Sequence, residues 1–198
     1  EVSIISAVQA MRAVDREKYD IIPIYVSKSG EMYTSERMFE IEAFRDMKAL
    51  IADSSPVTML KKGEDVVLHY LDGTLFSKKK DIIINVAFPV VHGTNCEDGT
   101  LQGYLEFLGL AYVGWDVLSS AVGMDKAVFK YVMKASDIPV LDCVCFTGRE
   151  YLESKDAVIE KAETEIGYPM IVKPVNLGSS VGITKAHDRN GLIDAVEL

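Results

Sequence analysis

The spacing of apolar positions changes several times along the chain, and each change predicts a different element. In EVSIISAVQAMRAVD, Ile4, Val8 and Met11 share one helical stripe with Ile5 beside them, which predicts an amphipathic helix. KYDIIPIYVSKSGEMYTS reads as a strand, a turn at Ser29-Gly30 and a short returning strand. SERMFEIEAFRDMKALIADS is helical in part, with Ser35 as its cap. In DVVLHYLDGTLFSKKKD, Asp72-Gly73 joins two alternating stretches, which is a hairpin signal. DIIINVAFPVVHG reads as a central parallel strand ending in His92-Gly93. A helix follows in EDGTLQGYLEFLGL, where Leu101, Leu105 and Leu108 have helical spacing, and then a short strand around Tyr112 and Val113.

Strand, helix, strand, with a polar Gly-containing turn after the first strand, is the α/β doubly wound pattern. Such sheets collect ligands beyond the carboxyl ends of their strands, and His92 to Gly99 occupies that place. From VLSSAVGMDKAVFKYVMKASD onward the pattern differs. Two helices precede IPVLDCVCFT, a charged helix follows in REYLESKDAVIEKAETEIG, and a Gly/Ser-rich stretch comes last. A domain boundary near Gly123 is expected, giving domains 1–123 and 124–198. Glu1 already opens the first helical pattern with no strand before it, and DRNGLIDAVEL stops inside an amphipathic one. The expectation is a fragment that lacks its first strand and is cut at its C-terminal end.

Composition narrows the choice of ligand. The 198 residues carry a net charge of −9, which argues against nucleic acid or an anionic membrane as main partner, since both demand a basic surface. An anionic ligand must then be held by a local cationic site. No apolar run reaches spanning length and no export signal opens the chain. The expected location is therefore the cytoplasm. The three cysteines, Cys96, Cys143 and Cys145, are too few for a disulfide scaffold and read as buried free thiols. Cys143 and Cys145 would share one strand face.

One stretch calls for such a cationic site. YPMIVKPVNLGSSVGITKA sets Lys173 into an apolar run and then passes through Asn176, Gly178, Ser179, Ser180 and Gly182. Free backbone N–H groups, small hydroxyls and a nearby ammonium group suit a polyphosphate. It is not a Walker loop, because the lysine precedes the glycines. The bland reading is a hairpin with an exposed lysine. In MDKAVFK, Lys126 opens a helix, where a cation opposes the macrodipole; here the bland reading is a solvated lysine offset by Asp125. HGTNCEDGTLQG gathers His92, Glu97 and Asp98 around glycines. Helix capping would explain both acids, and His92 would serve equally as a loop histidine.

Taken together, EVSIISA, FPVVHGTNCEDGTLQGYLEFLGLAYVG, MDKAVFK and YPMIVKPVNLGSSVGITKA closely resemble the D-alanine–D-alanine ligases of the ATP-grasp superfamily. The resemblance implies an N-terminal Rossmann-like, pre-ATP-grasp domain followed by the first part of an ATP-grasp domain. It implies ATP and Mg²⁺ as cofactors, with the metal ligands beyond Leu198, and a homodimer acting on ATP and D-alanine. One D-alanine would be activated to an acyl phosphate and attacked by the amine of a second, for peptidoglycan precursors. Carried over by motif, Lys126 and Lys173 resemble the lysines that bind ATP phosphates. Ser179 resembles the serine that positions the first substrate. Ser180, Val181 and Gly182 resemble loop residues whose backbone approaches the phosphates, while Gly178 is read as the residue that lets the loop turn. His92 resembles the histidine near the first D-alanine, with Glu97 as an orienting carboxylate. The family's preceding substrate-binding glutamate lies upstream of Glu1, and its intermediate-stabilising arginine and Mg²⁺-binding carboxylates lie beyond Leu198, so the chain alone is expected to be inactive.

Three other readings compete. A sister ligase joining D-alanine to D-serine or D-lactate differs in a loop absent here. A nucleotide-binding module without ligase activity would share these motifs. A Rossmann-type dehydrogenase lacks support, because no G-x-G-x-x-G follows a strand.

Overall fold

A computed structural model describes residues 1–73 and 79–198. The chain folds as two compact units, Glu1–Val117 and Leu118–Leu198, with the division a little before the Gly123 boundary that the change of pattern predicts. The structure is mixed α/β.

In the first unit, helix α1 (Val2–Ala13) buries Val8 and leaves Ile5 exposed. Strands β1 (Tyr25–Val26) and β2 (Met32–Thr34) pair antiparallel around the Gly30 turn, at φ +87°. Two 3₁₀ turns follow, and Ser35 caps the first by accepting the Arg37 N–H. Helix α2 (Met47–Ala52) leads to the longest pair of strands, β3 (Ser55–Lys62) and β4 (Asp65–Tyr70). Lys62 pairs with Asp65 across a two-residue turn whose Gly63 has φ +62°, the backbone sign such tight turns require. The turn predicted at Asp72-Gly73 leads into residues outside those described, so that hairpin's second strand lies outside them too.

The expected central parallel strand divides into two. Strand β5 (Ile82–Ile84) runs antiparallel to β4 and closes a sheet of order β1-β2-β3-β4-β5. After Asn85, β6 (Val86–Ala87) pairs parallel with β7 (Ala111–Tyr112), and α3 (Thr100–Leu108) is the crossover between them. A continuous apolar run does not reveal which neighbours its two halves find, because each half can pair separately. The strand-helix-strand crossover of the doubly wound pattern, β6-α3-β7, is present. The five-stranded sheet beside it is antiparallel. Leu105 and Leu108 of α3 join Val57, Met59, Val66 and Leu68 in one core, and the Tyr104 hydroxyl donates to the Met59 carbonyl at 3.2 Å.

Helix α4 (Val117–Met124) precedes α5 (Lys126–Ala135), where Asp125 accepts the Ala127 and Val128 N–H groups as N-cap. The single charged helix expected downstream is two, α6 (Gly148–Glu153) and α7 (Lys155–Glu165), because Ser154 leaves helical geometry (φ −151°, ψ 53°). Thr147 and Glu150 form a reciprocal capping box on α6. Strands β8 (Met170–Val172) and β9 (Thr184–Ala186) make an antiparallel pair, and α8 (Arg189–Glu197) ends the chain. Tyr151, Ile159, Met170, Ala186 and Leu192 form the second unit's core. No strand is formed by residues 138–147, and Cys143 and Cys145 are exposed, not buried. Only Val144 and Phe146 of that alternating segment turn toward the core. No described helix is long and apolar enough to cross a membrane.

Candidate functional site

In the first unit the candidate residues lie on the turn from β6 to α3, residues 88–99. Two acids shape it. Asp98 accepts the Asn95 N–H at 2.7 Å and the Thr100 N–H at 3.1 Å. Burial pushes its carboxyl upward, but these donors together outweigh burial and hold it below the ordinary carboxylate range. Glu97 accepts the Gly93 N–H at 2.6 Å, and its other oxygen lies 3.7 Å from His92 Nδ1. Glu97 is therefore no helix cap; it faces the histidine. Asp98 does satisfy the first free amide of α3. Gly99 is required by both its φ of +91° and its neighbour, since a Cβ there would sit 2.7 Å from the Val117 carbonyl oxygen.

His92 is held from a second direction by α1. Its N–H donates to Ser3 Oγ at 3.1 Å, and its Nε2 is 3.4 Å from Ser6 Oγ. One helical turn separates the two serines, so both reach the same residue. Sequence reasoning missed them. Their i, i+3 spacing on the polar side of the first helix was the available signal. Cys96, just before the two acids, is pushed up by burial and then by Asp98 and Glu97, which disfavours a thiolate there.

The second unit carries the other candidates. Lys173 follows β8 directly and is exposed, so the lysine stands just outside the apolar strand. Its alternation partner Ile171 is exposed as well, while Met170 and Val172 turn to the core. Between β8 and β9 the loop is exposed from Asn176 to Ile183. Ser179, Ser180 and Gly182 have φ of 51°, 60° and 70°. Gly178 does not share that conformation, and a Cβ on it would meet nothing. The expectation that Gly178 turns the loop is corrected: the two serines beyond it adopt the left-handed backbone. Inside the turn, the Val181 N–H donates to the Gly178 carbonyl at 3.1 Å.

Lys126 is not a solvated lysine. Its ammonium donates to the Val175 carbonyl at 3.1 Å and the Leu177 carbonyl at 2.5 Å, and its backbone N–H also reaches Val175 O at 3.2 Å. The cation at the start of α5 thus ties down the entry of the Gly/Ser loop, while Asp125 supplies the negative charge the helix terminus favours. Within the second unit, Lys126 and the loop come together. His92 and Glu97 come together within the first.

An α/β unit with a glycine-bounded strand-to-helix turn, followed by a unit with a lysine-tethered Gly/Ser loop, is the order of features that the sequence resemblance implies. The family profiles described as D-ala D-ala ligase N-terminus and D-ala D-ala ligase C-terminus match residues 1–115 and 132–198. The chain belongs to the D-alanine–D-alanine ligase family. It is 42% identical over 198 residues to the D-alanine–D-alanine ligase of Chloroherpeton thalassium, covering 100% of this chain and 54% of that protein. The D-alanine–D-alanine ligase structure from Coxiella burnetii superimposes with a TM-score of 0.81 at 33% identity, over 99% of this chain and 55% of that one. The VanG D-Ala:D-Ser ligase structure from Enterococcus faecalis does so at 0.79 and 33%, over 99% and 54%. The chain spans about half the length of the curated relatives it matches.

Proposed function

We propose that this chain supplies the N-terminal half of an ATP-dependent D-alanine–D-alanine ligase, with residues 1–123 as its N-terminal domain and 124–198 as the beginning of its ATP-grasp domain. The observation that carries the reading is the Lys126 ammonium donating to two carbonyls of the Gly/Ser loop 49 and 51 residues away. A loop whose entry is fixed by a cation, and whose following residues are small and polar, suits the phosphates of ATP. In this reading Lys126 and Lys173 neutralise phosphate charge, and the backbone of Ser180, Val181 and Gly182 lies along the phosphates. Ser179 positions the first D-alanine. His92, oriented by Glu97, has a substrate-side role within the first unit by family likeness. ATP supplies the phosphoryl group that makes a carboxylate an acceptable acyl donor, and the protein's part is positioning and charge neutralisation.

Mg²⁺ accompanies this chemistry in the family. Among the described residues no group of three or more His, Cys, Asp or Glu could hold an ion. A homodimer and a cytoplasmic location belong to the same reading by family likeness. D-Alanine is preferred to D-serine as second substrate because the curated relatives share the D-alanine–D-alanine ligase name at 36–42% identity.

Lys173→Met in the full-length enzyme tests the proposal. It keeps the apolar stem and removes the ammonium. The expected result is a fall in kcat/KM for ATP of at least about tenfold, with a smaller change for D-alanine. A folded Lys173→Met enzyme that uses ATP as well as the parent would remove the phosphate role from this residue.

A further inference from the structure

The second unit brings two thiols into contact at a place the ligase chemistry does not use. In an extended chain, residues two apart point the same way with their Cα atoms about 6.6 Å apart. Cys143 and Cys145 obey that alternation, since the intervening Val144 turns to the core with Phe146. Their sulfurs are nevertheless only 3.8 Å apart, so both side chains lean toward each other, and both residues are exposed. Helix α5 steadies the segment. The Lys130 ammonium donates to the Leu141 carbonyl at 2.6 Å, and Lys130 and Tyr131 both act on the Cys145 thiol.

We propose that Cys143 and Cys145 form a dithiol modification site, which a low-molecular-weight disulfide of the glutathione class closes into an intramolecular disulfide. The Cys143 thiolate attacks one sulfur of the external disulfide and expels one thiolate. A mixed disulfide remains on Cys143. Cys145, deprotonated, then attacks the Cys143 sulfur and expels the second thiolate. The protein loses two electrons and two protons, and the external disulfide is reduced to two thiols. The order of attack follows the surroundings. Burial, and then the hydrogen bond and charge of Cys143, push the Cys145 thiol up against the opposing influence of Tyr131 and Lys130. A raised Cys145 thiol is a reluctant first attacker, and it resolves the mixed disulfide. Cys96 in the other unit, half-buried and beside two acids, is the internal control.

The test equilibrates the full-length protein with glutathione disulfide and glutathione at several ratios, then quenches, denatures, alkylates and maps it by mass. The expected product loses two hydrogens within the tryptic peptide from Ala135 to Arg149 and keeps Cys96 open to alkylation. Any Cys-x-Cys peptide closes to some extent, so the decisive quantity is the closure constant of the folded protein against that in urea. Sulfurs already in contact predict a value at least about tenfold higher when folded. Cys145→Ser should stop at the mixed disulfide on Cys143. A folded-state constant equal to or below the urea value would overturn the proposal. Separate glutathione adducts on both cysteines without ring closure would overturn it too.

Discussion

The turn at 92–99 and the loop at 175–183 are both small-residue connections that leave a strand, yet they are held in different ways. In the first, side chains close on backbone from several directions: Asp98 on Asn95 and Thr100, Glu97 on Gly93, Ser3 on His92. In the second, one ammonium group, Lys126, reaches the carbonyls of Val175 and Leu177, and the serines that follow stay exposed in left-handed backbone. A connection satisfied by its own carboxylates is arranged before any ligand arrives. One anchored at its entry, with small residues beyond, has few apolar contacts to hold a single conformation. The contrast is between a connection set by its own side chains and one anchored at a single end.

The largest effect should come from Gly99→Ala. The substitution adds a methyl 2.7 Å from the Val117 carbonyl oxygen at a φ of +91°, so backbone strain and overpacking together should cost about 3 kcal/mol in urea unfolding. A cost below about 1 kcal/mol would show that the turn yields easily and would erase the contrast with the loop.

Asp98→Ala comes next, at about 1.5 kcal/mol, because two N–H groups lose their acceptor. Its pH dependence has a definite sign. The folded carboxyl titrates below its ordinary value, so its contribution is fully present above the unfolded value of 3.8 and is lost as pH falls through the folded pKa. The parent and Asp98→Ala proteins should therefore converge in stability toward strong acid. A gap independent of pH would assign the loss to packing and not to charge.

Lys126→Met should leave global stability nearly unchanged and loosen the loop. Removing a partly buried charged donor is worth about 1 kcal/mol locally, so amide exchange from Val175 to Val181 should quicken about fivefold without nucleotide. ATP should slow that exchange in the parent enzyme. Unaltered exchange in Lys126→Met would mean that the loop is held by something other than this ammonium.

The smallest change is expected for Gly178→Ala. Its φ is not left-handed and a Cβ there meets nothing, so stability should move by no more than about 0.5 kcal/mol. A substantial loss would return to Gly178 the turning role that the structure gives to Ser179 and Ser180.

Much of the framework was legible because local pattern and local chemistry agree. The stripe Ile4, Val8, Met11 became α1, the Leu101, Leu105, Leu108 spacing became α3, and Ser35 caps as its type predicts. The run from Ile82 to Ala87 misled for a definite reason. Apolar continuity reports burial, while pairing direction depends on which neighbour offers free N–H and C=O groups. The same limit applies to residues 138–147, where alternation is real but no strand pairs with it. Ser154 divides a charged stretch that composition alone presents as one helix.

What the residues determined by themselves was the inventory: a glycine-bounded turn with His92, Glu97 and Asp98, a lysine at the head of a helix, and a small-residue loop after Lys173. Those types have few alternative uses in such spacings, so their chemistry shows in one dimension. Tertiary structure decided which atoms meet. It sent the Lys126 ammonium to the carbonyls of Val175 and Leu177, turned Glu97 toward His92 instead of α3, and brought Ser3 and Ser6 to the histidine from a helix 86 residues or more away in sequence. Such contacts depend on how distant segments pack, and a polar group accepts any partner of the right geometry that the fold delivers.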